Sequence, residues 1–154
     1  MIRNERQYRA SQAHRERLLA TREGYEAAPQ TDPLAQAALL SSVDWLLGDV
    51  EAELAEYEAL RAGSIGEVVA EGLGALPDLL VKARIAEGLT QRQLAERLGV
   101  AEEAVQRDEA GGYARAGLDR LTRVAEALGV RLRLTGVLDP DGTQATTPAR
   151  LAGR

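Results

Sequence analysis

The chain of 154 residues contains no cysteine and no phenylalanine, and has only one tryptophan, one methionine and one histidine. Without cysteine it has no disulfides, thiolate zinc sites or thiol nucleophiles. No segment reaches the ~18 uninterrupted apolar residues of a membrane span, and the first residues lack the apolar run of a secretory signal. These absences predict a cytoplasmic protein with no membrane partner. Its core must be built from leucine, valine, isoleucine and alanine.

Residues suited to catalysis or to ligand binding are equally scarce. His14 lies among arginines in a surface-like helical pattern. Gly111 and Gly112 are accompanied by neither a P-loop lysine nor a dinucleotide fingerprint. A cluster of glutamates lacks the histidine or loop that would suit a cation: Glu51, Glu53, Glu56 and Glu58. We therefore expect no enzymatic activity, no metal and no cofactor.

An N-terminal helical region is predicted for residues 1–63, with two helices. Asn4 followed by Gln7 resembles a capping box, so the first helix should run from residue 5 to about residue 22. Residues 27–33 form a break. Asp32 is the predicted N-cap of the second helix and Pro33 its first residue. That helix should run from residue 34 to about residue 61 and end at Gly63.

The second helix carries an apolar seam with the 3-4-3-4-3 spacing of a helix pair. The seam residues are Leu40, Val43, Leu47, Val50, Leu54 and Tyr57. They either pack against the first helix or pair with a second copy of the chain.

Residues 89–111 have the spacing of two short helices joined at a glycine, as a helix-turn-helix requires. Thr90 is a good N-cap, because its hydroxyl oxygen can accept from free N–H groups of the first turn. Gly99 stands where the first helix must end, because a left-handed C′ residue carries no Cβ penalty only if it is glycine. Small Ala95 allows the two helices to cross closely.

The chain here resembles the Cro/lambda-repressor (XRE) class of helix-turn-helix domains over roughly residues 77–135. The matching residues are Leu89-Thr90-Gln91, Gln93-Leu94-Ala95, Leu98-Gly99-Val100, Val105, Arg107, Glu109, Gly111, Leu121, Val124-Ala125 and Ala127-Leu128-Gly129-Val130. This resemblance implies a compact domain of four or five helices that binds operator DNA, usually as a dimer. It also implies that Gln91 touches a phosphate and that the outer face of the second helix reads bases in the major groove.

The residues expected to bind DNA are Thr90, Gln91, Arg92, Glu102, Glu103, Gln106, Arg107, Tyr113 and Arg115. Tyr113 either bonds a phosphate or anchors its loop. Two features depart from the class. Ala101 replaces the usual Ser or Thr cap, at a cost of about 1 kcal/mol. Glu102 and Glu103 make the reading face acidic, which phosphate repels. A helix-turn-helix kept only for protein contacts therefore stays open as an alternative.

The rest of the chain is divided as follows. Residues 64–76 are a linker or short strand, residues 77–138 are the helix-turn-helix domain, and residues 139–154 are a disordered tail. A helix is predicted over residues 118–128, and residues 130–135 alternate as a strand does. This strand should pair with residues 65–69 or with a second protomer. The predicted fold is mainly α, with a lambda-repressor-like domain carrying a short β element.

Charge by segment separates the functional hypotheses. Residues 1–75 carry seven arginines and thirteen acidic residues, a net charge of −6. Residues 76–138 carry ten basic and nine acidic residues, a net charge of +1. This balance fits a dimeric, sequence-specific regulator that makes few phosphate contacts.

The layout is also similar to antitoxins of the HigA type, which implies autoregulation and an acidic N-terminal half that binds a basic toxin. The dimer contact is expected at the strand and its neighbouring helix, with the apolar seam as the alternative.

Overall fold

The computed structural model describes residues 1–28, 30–63 and 72–133, which form six α-helices and one 3-10 turn. The helices are α1 (Glu5–Ala27), α2 (Pro33–Arg61), α3 (Leu76–Ala86), α4 (Gln91–Leu98), α5 (Glu102–Ala110) and α6 (Leu118–Ala127), and the turn is Leu73–Ala75. None of these helices is long and apolar enough to cross a membrane. The predicted tail, residues 139–154, lies outside the described residues.

The predicted β element is not confirmed, because no strand occurs within the described ranges. Residues 130–133 are irregular, and Arg131, Leu132 and Arg133 are exposed. The end of the predicted strand at Leu134 and Thr135, and its predicted partner at residues 65–69, lie outside the described residues. Alternation alone does not make a strand, since a strand needs a neighbour to bond.

The helices α1 and α2 form a hairpin whose ends are set by local caps. Asn4 accepts a hydrogen bond from the backbone N–H of Gln7, and Asp32 accepts one from Leu34. The Gln7 side chain accepts from the N–H of Arg3 at 2.8 Å, one residue before the position that a full capping box uses. The predicted starts of both helices are confirmed.

Helix α1 continues to Ala27, five residues beyond its predicted end, because its last turns contact α2. Arg22 Nε donates to Asp44 Oδ1 at 2.7 Å, and Gln36 Nε2 donates to the carbonyl of Tyr25 at 2.8 Å. These bonds join residues eleven or more positions apart. Tertiary contacts therefore extend the helix past the point where the local signal weakens.

The apolar seam of α2 is turned inward. Val43 and Leu47 are buried against Leu18 of α1, whereas Leu54 and Tyr57 belong to a larger core shared with the C-terminal helices. This confirms packing within the chain. Tyr57 also stacks on Tyr8 of α1, with ring centroids 5.1 Å apart.

The larger core unites the hairpin with the helix-turn-helix. Ile2, Leu54, Tyr57 and Leu60 contribute from the N-terminal region. The buried members from the other helices include Leu80, Val81, Ile85, Leu94, Val105, Val124 and Leu128. The N-terminal residues and the end of α2 are thus held beside α3, α4 and α5.

Candidate nucleic-acid interface

The turn between α4 and α5 has the geometry that its sequence predicts. Gly99 adopts φ 65° and ψ 35°, the left-handed conformation, and ends α4. The N–H of Val100 then donates to the carbonyl of Ala95 at 3.0 Å, which closes the turn. Leu94 and Ala95 on α4 pack with Val105 on α5 in the core. This packing fixes the angle at which α5 leaves the domain.

The start of α4 is a complete capping box. The Thr90 hydroxyl accepts from the backbone N–H of Gln93 at 3.1 Å, and the Gln93 side chain accepts from the backbone N–H of Thr90 at 2.8 Å. Arg92 is exposed and pairs with Glu96 one turn later. The capping role of Thr90 is confirmed. The contacts of Thr90 and Arg92 with DNA stay predictions.

The outer face of α5 presents the residues expected to read bases. Glu103, Gln106 and Arg107 are exposed, and Glu102 is half-buried. Gln106 Nε2 donates to Glu102 Oε1 at 2.9 Å, and Arg107 Nε donates to the carbonyl of Glu103 at 3.3 Å. No side chain caps α5 at Ala101. The two carboxylates instead lie in the first turn, where the helix dipole favours negative charge.

A buried ion pair at the far end of α5 was not predicted from the sequence. Arg84 of α3 donates from Nε to Glu109 Oε1 at 2.6 Å and from a terminal nitrogen to Oε2 at 2.9 Å. The two side chains are 3% and 1% exposed. A signal was present: Arg84 follows Leu80 by four residues and Glu109 follows Val105 by four, so both charges occupy the buried phase of their helices.

Gln91 and Arg3 extend this ion pair into a network. Gln91 Nε2 donates to Glu109 Oε2 at 2.8 Å, and Arg84 donates to the carbonyl oxygens of Leu89 and Arg3. Arg3 in turn donates to the carbonyl of Glu109 at 2.8 Å. The network therefore holds the start of α4, the end of α5 and the N-terminal segment together. The predicted phosphate contact of Gln91 would have to coexist with this bond.

Tyr113 and Arg115 follow α5 in the loop but differ in exposure. Tyr113 is 5% exposed and packs in the core, with φ 52°. Burial, reinforced by the charge of Glu109, raises the pKa of the Tyr113 phenol. This position favours the anchoring role over a phosphate contact. Arg115 is exposed, and its predicted contact with DNA stays a prediction.

Comparison with known proteins agrees with this geometry. Residues 80–134 match the model of a protein family described as helix-turn-helix. This segment is a DNA-binding helix-turn-helix domain of the XRE kind, a class of transcriptional regulators. No curated protein and no solved structure gives a significant match to the chain. The hairpin of residues 1–63 lies outside the matched segment.

Proposed function

We propose that the protein is a sequence-specific transcriptional regulator that binds operator DNA as a homodimer. The observation that carries the proposal is the exposed outer face of α5, held by a closed turn at Gly99 within a segment of the helix-turn-helix family. In this class the second helix of the motif enters the major groove. Residues Glu102, Glu103, Gln106 and Arg107 would then face the base edges.

Gln106 and Arg107 are the residues proposed to discriminate bases. A glutamine amide can pair with N6 and N7 of adenine, and an arginine with O6 and N7 of guanine, each contact contributing about 1–3 kcal/mol. The bond between Gln106 and Glu102 is exposed, so Gln106 can exchange it for a base at little cost. The carboxylate of Glu102 or Glu103 can accept a hydrogen bond from the N4 amino group of cytosine.

The test is fluorescence anisotropy with the DNA upstream of the protein's own gene and with single-base variants of that site. Gln106→Ala should relax the preference among the variants and leave the melting temperature unchanged, because Gln106 is exposed. Affinities that fall in parallel for every variant, or do not change at all, would contradict base reading by Gln106. A wild-type protein that binds none of these DNAs would contradict the function itself.

Dimerisation is proposed because one motif contacts few bases, and paired half-sites lie about 34–36 Å apart. Exposed leucines in the C-terminal part of the domain suit the interface: Leu118 is 71% exposed and Leu132 is 40% exposed. Leu132→Asp should give monomers in light scattering and abolish operator binding, while helicity by circular dichroism is kept. A Leu132→Asp protein that is still dimeric would exclude this surface.

A second candidate function, the antitoxin hypothesis, is favoured by the outer face of α2. Trp45 is 71% exposed there. The helix carries six acids against one arginine, so it would attract a basic partner. Trp45→Asp is the matched variant, because it leaves the DNA face unaltered. The wild-type protein should co-elute with the co-expressed product of an adjacent gene in size-exclusion chromatography, and the Trp45→Asp variant should not. If the variant still co-elutes, the toxin does not bind this face of α2.

A further inference from the structure

A groove lies between the start of α1 and α5, the helix proposed to enter the major groove and called the recognition helix from here on. Its volume is about 500 Å³. Its lining includes residues 3–7 of the N-terminal segment and Glu102, Gln106 and Ala110 of α5. The last three residues are four apart, so they form one face of α5. Gln91, at the start of α4, also lines the groove. The N-terminal segment therefore lies beside the surface proposed to bind DNA.

Positive charge is concentrated in this groove. Its lining includes Arg3, Arg6, Arg61 and Arg84 against Glu5 and Glu102. The charge of Arg84 is balanced by the buried Glu109, which leaves three arginines against two glutamates. The whole chain has a net charge of −5. The negative charge of the N-terminal region lies mainly on α2, whereas residues 1–9 carry three arginines and one glutamate. The hairpin thus presents the start of α1 and the last residues of α2 to the groove, while the acidic residues of α2 are not part of the lining.

The four arginines differ in how fully they are bonded. Arg84 is buried in the pair with Glu109, and Arg3 donates to carbonyl groups at the end of α5. Arg61 pairs with Glu5 at 2.9 Å on the surface. Arg6 is exposed and has no ion pair within the described ranges. Arg6 is therefore the charge that is most available to a ligand, followed by Arg61.

A phosphate backbone is the anion that this position suits. When α5 lies in a major groove, the flanking phosphates pass the edges of the motif, where contacts position the protein on the duplex. Glu102 and Glu103 repel these phosphates. The domain over residues 76–138 has a net charge of only +1 to offset them. The arginines that line the same groove as Glu102 would offset that repulsion.

We infer that Arg6, assisted by Arg61, binds the DNA backbone beside the recognition helix, so that the N-terminal hairpin is part of the DNA-binding surface. This inference rests on the proposed function. It gives the hairpin a role in affinity and none in base selection, because phosphate contacts carry no sequence information directly.

The test measures DNA affinity against salt for Arg6→Ala, with Arg17→Ala as the control. Arg17 is an exposed arginine of the same helix about 16 Å further along, at 1.5 Å per residue. Affinity falls as the salt concentration rises, so the slope of log affinity against log salt is negative. Losing one phosphate contact makes this slope less steep by about 0.9. The advantage of the wild type over Arg6→Ala should therefore shrink by about 3.5-fold between about 50 and 200 mM salt, on operator and random DNA alike.

Two further variants make the result specific to charge. Arg6→Lys should retain the wild-type slope. Glu5→Gln, which removes the partner of Arg61, should tighten binding to all DNA. A wild-type slope in Arg6→Ala, while Gln106→Ala still loses base discrimination, would overturn the inference and leave the proposed function intact. Tighter binding by Arg6→Ala would show that α1 hinders DNA and would also overturn it.

Discussion

Replacing Glu109 with glutamine should destabilise the fold more than any change on the reading face of α5. The carboxylate accepts three hydrogen bonds, two from Arg84 and one from Gln91, and its side chain is 1% exposed. Glutamine keeps the shape but leaves the buried guanidinium of Arg84 without a counter-charge. Breaking a buried pair in this way costs about 3–5 kcal/mol.

We expect a loss near the lower end of this range, about 3 kcal/mol, because the glutamine oxygen can still accept one bond. At roughly 2–4 °C per kcal/mol, the melting temperature should fall by about 6–12 °C. Urea denaturation followed by circular dichroism measures the free energy of unfolding. Glu103→Gln is the control: the same substitution on the same helix at an exposed position should change it by less than about 0.5 kcal/mol.

The pair can be separated from its surroundings with the double variant Arg84→Met and Glu109→Gln. If the two charges stabilise each other, the loss of unfolding free energy in the double variant should differ from the sum of the two single losses by more than about 1 kcal/mol. Additive effects, or a loss below about 1 kcal/mol in Glu109→Gln alone, would refute the argument that this pair anchors the end of α5.

Three further predictions concern Gly99, the two glutamates at the start of α5, and Tyr113. Gly99→Ala should cost about 1–2 kcal/mol in the free energy of unfolding, because its φ is +65° and an added Cβ meets no atom within 4 Å; Gly24→Ala, within α1 and equally open, should be neutral or stabilising. Replacing Glu102 and Glu103 together with glutamine should strengthen binding to random DNA, and unchanged binding would mean that this surface does not face DNA. The free energy of unfolding should fall as the pH rises above about 10, because burial raises the pKa of the Tyr113 phenol and the phenol therefore ionises first in the unfolded chain. Tyr113→Phe should make that fall shallower. An equal fall in Tyr113→Phe would contradict the raised pKa of Tyr113 as its cause.

Sequence alone determined the features that depend on neighbours within a few residues. The N-caps at Asn4, Asp32 and Thr90 and the left-handed Gly99 are all as predicted. A cap bonds the backbone two or three residues away, so its partners can be read directly from the chain. The core face of the helix-turn-helix follows from helical periodicity in the same way.

Only the tertiary structure decided which charged residues are buried and which segments meet. Arg84 and Glu109 are 25 residues apart, and Arg3 reaches Glu109 across 106 residues. Helical periodicity places Arg84 and Glu109 in the buried phase of their helices, but it does not show that the two meet or that Arg3 joins them, in a chain with 28% charged residues. A buried charge is costly unless it is paired and hydrogen-bonded, and here the partners come from distant parts of the chain. The assembly of α2 with α3 and of residues 1–4 with α5 therefore sets both the buried network and the basic groove.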